Sequence, residues 1–372
     1  MALRAHARVN LAAIERNCGR LRRALGASEL CAVVKADGYG HGAVPAARAA
    51  LAGGASRLAV ATAAEAAELR AAAIDAPLIV LGALGSEELP VALAADADVV
   101  AWSEPFVERL LAAGAPARVH LEHDVGMGRL GTRDADELLR VAERVAAAPR
   151  LTLAGAMAHF PCADADLDLT AAQLERFRAV AERIRALAPG AVRHAANSAA
   201  TLALPASRLD LARCGIAVYG LDPWGRDARD HGLEPALELR SHVAAVKPLA
   251  AGETVGYGAT YTAREPQWTA TLPIGYGDGF RRGFSGNGEV LIRGRRRPVL
   301  GRVSMDNVTV GLGPEPDAAV GDVATVIGAD GGERVTAEEW AARIGTINYE
   351  IATGLTARVV RTYHRDGVEV AP

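Results

Sequence analysis

Short apolar runs alternate with alanine-rich segments through the first part of this chain, and that alternation limits the folds open to it. The segments between the runs have helical character. Eight strand–helix units predict an α/β fold, the TIM (β/α)8 barrel. An open doubly wound sheet is the alternative, because a sequence does not show whether a sheet closes. The eight runs are typical of buried parallel strands and lie near residues 31–35, 58–62, 78–82, 98–102, 118–123, 152–158, 191–196 and 209–213.

The pattern changes near residues 221–230. This stretch, LDPWGRDARD, is rich in turn residues and charges, and we interpret it as a linker. We predict two domains, a barrel over residues 1–228 and a smaller, mostly-β C-terminal domain over residues 229–372. The second domain's strand-like segments lie at 236–246, 269–274, 289–292, 299–302, 307–310 and 323–327, with one helical stretch at 337–344.

Charge and composition argue against several kinds of partner. The net charge of −3 does not favour nucleic acid or an anionic membrane. No apolar run is long enough to span a bilayer, and the N-terminus lacks the apolar core of a signal peptide. The four cysteines have no metal-ligand spacing, so we expect no metal site and reduced thiols in a cytoplasmic protein.

Polar side chains follow several predicted strands at their carboxyl ends, which converge on one face of a barrel. Lys35 ends the first run, and a partly desolvated lysine has a lowered pKa that makes its amine a nucleophile. Such a lysine forms Schiff bases with carbonyl substrates or with pyridoxal phosphate, although an isolated lysine commonly just extends its ammonium to solvent. The other polar residues at this predicted face are Asp124, Arg129, His159, Asn197, Ser198 and Arg213.

The string KADGYGHG, from Lys35 to Gly42, resembles the pyridoxal-phosphate lysine motif of the alanine racemase family. Further family motifs occur in both predicted domains and in the family's order. The resemblance implies that pyridoxal 5'-phosphate is the cofactor, that Lys35 bonds to it and that Tyr39 reaches its phosphate.

The HAANS motif resembles the phosphate side of the family's cofactor site. Asn197 and Ser198 can cap the helix that they open, and a helix N-terminus carrying a hydroxyl is also suited to a phosphate. The resemblance adds Gly215 and Ile216, through backbone N–H groups, and Tyr349 to this cofactor site. His194, in the same motif, is expected to be structural.

Two further residues resemble residues that lie beside the cofactor ring in this family. His159, in HFP, resembles the histidine that lies against the ring, and Arg213 resembles the arginine that faces the pyridine nitrogen. An arginine does not release its proton in proteins, so the ring would be a weak electron sink. A weak sink suits racemisation, in which the proton must return quickly.

Racemisation requires an acid–base group on each face of a planar carbon. Lys35 would serve one face. Tyr257, in GETVGYGATY, resembles the family's second catalytic base. Because that tyrosine comes from the partner subunit in the family, the resemblance implies a homodimer with shared active sites.

Arg129, in GMGRLG, resembles an arginine near the substrate carboxylate. Many family members carry a carbamylated lysine at the position of Glu122, and here a carboxylate stands in its place. We hypothesise that Glu122 replaces the carbamate and fixes Arg129 by a charge-assisted pair. The motifs GYGDG and GRVSMD imply that Tyr276 and Met305 border the substrate, with Asp306 in a supporting role.

The resemblance thus implies an alanine racemase that uses Lys35 and Tyr257 as its two bases. It implies either a supply of D-alanine for peptidoglycan or a role in alanine catabolism, and the sequence does not choose between them. A racemase of broader amino acid specificity would carry the same residues. A decarboxylase of the same fold class is disfavoured because it would have an acidic partner in place of Arg213. A non-catalytic pyridoxal-phosphate carrier is disfavoured because such proteins resemble the barrel alone.

Overall fold

The computed structural model describes residues 3–371, which form two compact units. One unit spans Ile14–Val218. The other combines residues 3–13 with residues 219–371. This division differs from the predicted domains, since the N-terminal segment belongs with the second unit.

The first unit is a barrel of eight parallel strands, numbered here as barrel strands one to eight. The first strand pairs with both the second and the eighth, since Cys31 is in register with Arg57 and with Arg213. The N–H of Asp210 donates to the carbonyl of Arg193 in strand seven at 3.1 Å, and the N–H of Arg213 donates to the carbonyl of Ala196 after that strand at 2.9 Å. The sheet is therefore nearly closed. The TIM-barrel prediction is confirmed. The strands are Glu29–Val33, Arg57–Val60, Leu78–Val80, Asp98–Ala101, Ala117–Glu122, Leu151–Met157, Val192–His194 and Leu211–Cys214.

One helix precedes the first barrel strand and others follow barrel strands one to seven, and several of them begin at a side chain that caps the first turn. Thr62 forms a capping box with Glu65, and Asp134, Asp166 and Asn197 each accept backbone N–H bonds in the same way. The helices are Leu11–Leu25, Ala43–Ala52, Ala63–Ala71, Glu88–Ala94, Glu104–Ala113, Ala135–Ala147, Leu167–Leu187 and Ser198–Ala203.

The second unit is built on a sheet whose central strand comes from the N-terminus. Ala5–Asn10 buries every second residue and lies between Leu237–His242, which is antiparallel to it, and Val360–Arg365, which is parallel. These ladders explain why the N-terminal segment does not belong to the barrel. The rest of this sheet consists of Glu289–Ile292, Arg295–Pro298, Val323–Asp330, Glu333–Val335 and Val368–Val370.

Smaller sheets and two helices complete the second unit, and the prediction of a mostly-β domain is confirmed. The three-stranded sheet has Ala245–Leu249, Gln267–Leu272 and Val308–Gly313, the hairpin pairs Thr254–Val255 with Tyr261–Thr262, and the helices are Ala337–Arg343 and Asn348–Thr353.

Two local predictions in this unit were wrong. The segment 236–246 is two strands, because the chain leaves the first ladder after His242. Residues 299–302 are not a strand, since Gly301 has a φ of 68° and packs against the backbone of Val255. The segment that we interpret as a linker forms an ordered turn around the buried Asp222, whose carboxylate accepts the N–H groups of Trp224 and Arg226 at 3.0 and 2.9 Å.

None of the helices within residues 3–371 combines the length and the apolar character that a bilayer crossing requires. In the same range, no group of three or more His, Cys, Asp or Glu side chains is arranged to hold a metal ion.

Candidate active site

The predicted residues of the first unit gather at one rim of the barrel, beyond the carboxyl ends of its strands. This position follows from the parallel direction of the strands. They are Lys35 after strand one, Glu122 at the end of strand five with Arg129 in the following loop, His159 after strand six, Asn197 and Ser198 after strand seven, and Arg213, Gly215 and Ile216 at strand eight.

Lys35 opens a left-handed turn that ends at Tyr39. The φ angles of Ala36, Asp37 and Gly38 are 52°, 53° and 59°. For residues other than glycine this conformation costs about 1–2 kcal/mol each. A carboxylate of Glu65 accepts the N–H of Ala36 at 2.7 Å, which stabilises the turn from outside. The turn therefore fixes the spacing between the amine of Lys35 and the phenol of Tyr39.

The amine of Lys35 is suited to act as a base or nucleophile. Burial lowers its pKa, and the positive charge of Arg129 lowers it further, whereas Glu65 opposes the shift. A larger fraction of the amine is therefore unprotonated near neutral pH than in a free lysine.

Tyr39, Ser198 and Gly215 form a polar cradle. The hydroxyl of Ser198 accepts the N–H groups of Gly215 and Ala217 at 3.1 and 3.4 Å. A Cβ atom at Gly215 would lie 2.3 Å from the hydroxyl oxygen of Tyr39, so only glycine leaves room for this phenol. Burial raises the pKa of Tyr39 to about 12, which keeps its hydroxyl a donor. Hydroxyls and backbone amides that meet without intervening side chains fit a phosphate group.

Two neighbours of the cradle are also where the sequence predicted them. The side-chain oxygen of Asn197 accepts the N–H of Ala200 at 3.0 Å and so caps the helix that Ser198 opens. Ile216 is buried and begins a short 3-10 turn directly after Gly215.

Arg213 is buried in the barrel, and four of its five N–H donors bind protein acceptors. Its Nη1 donates to Nδ1 and the carbonyl of His194 at 2.7 and 2.9 Å. Its Nη2 donates to the carbonyl of Ala158 at 2.8 Å and to Nδ1 of His159 at 3.3 Å. Of five N–H donors, only that on Nε lacks an acceptor in the part of the chain described here. A single free donor fits the ring nitrogen of a pyridine.

His159 is neutral at physiological pH. Burial lowers its pKa to about 3, and the charges of Arg213, Arg129 and Lys35 act in the same direction. Because its Nδ1 accepts from Arg213, its proton lies on Nε2. The imidazole of His159 thus adds no charge to the site, and its Nε2–H can donate a hydrogen bond.

Glu122 is buried, but it does not make the contact predicted for it. Its Oε2 has no hydrogen-bond partner within residues 3–371, so the predicted bond from Arg129 is not formed at that atom. Arg129 is instead exposed, in a loop held by Asp124, which accepts the N–H groups of Gly126 and Gly128 at 2.9 and 3.0 Å. Burial raises the pKa of Glu122, while Arg213 and Arg129 oppose that shift through their charges.

Tyr257 lies in the second unit, at the tip of the short hairpin. Its side chain is 71% exposed. Gly256 and Gly258 have φ angles of 76° and 73°, which a side chain rarely adopts. The backbone and guanidinium of Arg302 pack against these two glycines. The GYG and GRVSMD motifs therefore adjoin.

Tyr276 and Met305 lie on two loops that are bonded to each other. The N–H of Tyr276 donates to the carbonyl of Ser304 at 3.0 Å, and that of Gly277 donates to the carbonyl of Met305 at 2.9 Å. Tyr276 and Met305 are 41% and 51% exposed. Tyr349 is half-buried, on the helix Asn348–Thr353.

Asp306 belongs to an ion-pair network that the sequence did not reveal. The buried Asp278 pairs with both terminal nitrogens of Arg4, at 2.6 and 2.9 Å. Arg358 joins the two carboxylates, at 3.2 Å from Asp278 and 2.7 Å from Asp306. An acidic residue enclosed by glycines, as in GYGDG, was the available signal for Asp278.

Comparisons with known proteins match nearly the whole chain to one family. The family models for the N-terminal and C-terminal domains of alanine racemase match residues 9–223 and 236–363. The chain is 40% identical to the alanine racemase of Desulfosudis oleivorans and 42% identical to that of Symbiobacterium thermophilum, each over 96% of both chains. A crystal structure of alanine racemase from a D-cycloserine-producing Streptomyces lavendulae has 39% identity and a TM-score of 0.93, and the match covers 98% of both chains. The suspected resemblance is confirmed: the chain belongs to the alanine racemase family.

Proposed function

We propose that this chain interconverts L-alanine and D-alanine, with Lys35 and Tyr257 as its two bases. The observation that carries the proposal is a lysine of lowered pKa on the same barrel rim as a cradle of hydroxyls and amides. The relatives matched over the full length, all alanine racemases, support the choice of reaction and substrate.

Alanine racemases depend on pyridoxal phosphate, and the residues at the rim fit that group. Bound pyridoxal phosphate would supply a carbonyl carbon for the substrate amine and a conjugated ring that acidifies the Cα–H bond. Tyr39, Ser198 and Gly215 would hold its phosphate. The remaining residues that we propose to hold it are Lys35, Asn197, Ile216, His159, Arg213 and Tyr349.

Arg213 would hold the cofactor ring without giving it a proton. Its guanidinium remains charged, and four of its N–H donors are already bound to protein acceptors. The Nε–H would therefore donate to the ring nitrogen, and the nitrogen would stay unprotonated. This arrangement limits charge withdrawal from the substrate and favours rapid return of its proton.

The two bases would work from opposite faces of the substrate Cα. Lys35 would remove or return the proton on one face, aided by its lowered pKa. Tyr257 would serve the other face through its phenol. Its exposure is consistent with insertion into the barrel site of a second copy, so the active enzyme would be a homodimer.

Substrate recognition would use Arg129 for the alanine carboxylate, with Tyr276 and Met305 at the border of the site. Asp306 would support that border through its pair with Arg358. We propose that the enzyme works in the cytoplasm and supplies D-alanine for peptidoglycan.

The cofactor claim can be tested with few ambiguities, because Lys35 and Lys247 are the only lysines in the sequence. Borohydride reduction of the cofactor-loaded protein, followed by peptide mass spectrometry, should place the adduct on Lys35. An adduct on Lys247, or none, would contradict the proposal.

The activity is tested by incubating the loaded protein with L-alanine and measuring D-alanine by chiral chromatography. Lys35→Ala should abolish its formation, and Lys247→Ala, at an exposed position of the second unit, is the matched control. L-Serine in a parallel reaction defines substrate breadth. Absence of D-alanine from the wild-type reaction would refute the proposed function.

A further inference from the structure

Four buried polar residues form a continuous chain through the barrel interior. Asp98 Oδ2 lies 3.0 Å from Nε2 of His120, and His120 Nδ1 lies 2.8 Å from Nε2 of His194. His194 Nδ1 lies 2.7 Å from Nη1 of Arg213. None of these residues is more than 4% exposed. They come from barrel strands four, five, seven and eight, so the chain crosses the barrel to reach the active-site rim.

The hydrogen-bond direction along this chain is fixed by its two ends. Arg213 only donates, so Nδ1 of His194 must accept and its proton must lie on Nε2. His120 Nδ1 must then accept from His194, which places the proton of His120 on Nε2. That proton faces Asp98, an acceptor. Every contact is satisfied when both imidazoles are neutral and each donates toward Asp98.

The surroundings support this assignment. Burial lowers the pKa of His194 well below its usual value, and the charge of Arg213 lowers it further. Burial raises the pKa of Asp98, but bonds from His120 and Arg118 outweigh that effect and keep the carboxyl ionised. A Cβ atom at Gly155 would lie 2.3 Å from Nδ1 of His120, so strand six makes room for this ring.

We infer that Asp98 and His120 are positioning residues for Arg213. They fix the tautomer of His194 that accepts from the guanidinium, and the guanidinium is thereby held with its Nε–H directed away from the protein acceptors. In the other tautomer, His194 would present an N–H to Nη1 of Arg213, and two donors would face each other. The inference rests on the proposed role of Arg213 toward the cofactor ring.

The direct test uses the cofactor-free wild-type protein and does not depend on activity. With nine histidines in the chain, long-range proton–nitrogen correlation NMR of 15N-histidine-labelled protein can assign each tautomer. We expect neutral His194 and His120, each with its proton on Nε2, and a nitrogen–nitrogen coupling across the bond between them. A proton on Nδ1 of His194, or a missing coupling, would overturn the inference even if the racemase activity is confirmed.

A matched pair of variants tests the consequence. His120→Asn places an oxygen near the position of Nδ1, so residue 120 can still accept a hydrogen bond from His194. Leucine has nearly the shape of asparagine but no acceptor, so His120→Leu removes this bond. We expect His194 to keep its tautomer in the asparagine variant and to lose it in the leucine variant. In the cofactor-loaded enzyme, kcat should fall about tenfold or more in the leucine variant and much less in the asparagine variant, with little change in KM. The same His194 tautomer and the same kcat in both variants would overturn the inference. If the leucine variant does not fold, the spectrum of the wild-type protein decides the question.

Discussion

A methyl group added at Gly215 should damage the cofactor site without touching any catalytic group. The new Cβ would lie 2.3 Å from the hydroxyl oxygen of Tyr39 and 2.8 Å from the adjoining ring carbon, Cζ. Since ordinary contacts begin near 3.4 Å, the phenol must move by about 1 Å. Tyr39 is buried and its backbone φ is 53°, so the ring has little freedom to do so.

The cost has two parts. Overpacking of a buried site lowers the free energy of unfolding by about 1–3 kcal/mol. Displacement of the Tyr39 hydroxyl removes a hydrogen bond to a charged phosphate, worth about 1.5–3 kcal/mol, so the affinity for pyridoxal phosphate should fall about 10- to 100-fold.

The assays are urea denaturation of the cofactor-free protein and absorbance titration with pyridoxal phosphate. Gly190→Ala is the matched control, because nothing lies within 4 Å of its added Cβ. Adding Tyr39→Phe to Gly215→Ala should restore part of the lost stability, since the closest clash is with the hydroxyl. If Gly215→Ala matches the Gly190→Ala control in both assays, the packing argument is refuted.

Three further predictions follow from single features of the structure. Glu122→Ala removes a buried carboxyl group that interacts electrostatically with Arg213, so activity should fall about tenfold and added acetate should restore it. Full activity without any anion would contradict this role. The free energy of unfolding, measured by urea denaturation, should decrease as the pH falls below about 6.5, because His159 and His194 bind protons in the unfolded chain but stay neutral in the fold. His159→Gln should reduce the dependence of this free energy on pH. An unchanged pH dependence would argue against a neutral His159. Asp278→Asn should lower the free energy of unfolding by about 2–3 kcal/mol, because the buried carboxylate accepts hydrogen bonds from both terminal nitrogens of Arg4. A loss below about 0.5 kcal/mol in urea denaturation would mean that this ion-pair network does not stabilise the fold.

The barrel was predictable because its strands are buried on both faces and appear as continuous apolar runs. The strand Ala5–Asn10 was not recognised, although it lies at the centre of a sheet. Its inward residues are Ala5, Ala7 and Val9, and alanine gives a weak strand signal. Its partners, Leu237–His242 and Val360–Arg365, are far away in the sequence, so its place depends on distant pairing.

The rim residues were predictable from their positions after strands, whereas the residues that support them were not. Glu65 holds the turn of Lys35 through a bond to the backbone of Ala36, and this contact joins two different strand–helix units. Asp98 and His120 are polar residues inside apolar strands, which is a recognisable signal for a buried network. His194 was expected to be structural, and the structure adds that it accepts a hydrogen bond directly from Arg213.

The contact between Glu122 and Arg129 was a hypothesis drawn from the family resemblance and from the carboxylate of Glu122. The conformation of the loop does not form this contact. Asp124 accepts the N–H groups of Gly126 and Gly128, and Arg129 is exposed in the resulting loop. Charge complementarity in a sequence therefore indicates a possible pair, and loop geometry determines whether the pair forms.

The central claim is that each face of the substrate carbon has one base. Its most direct test is proton NMR of cofactor-loaded Tyr257→Phe with each alanine enantiomer in D2O. If Lys35 alone serves one face, the α-proton of one enantiomer should exchange with solvent without inversion, while the other enantiomer keeps its proton. Racemisation at the wild-type rate, or exchange of both enantiomers, would show that Tyr257 is not the second base.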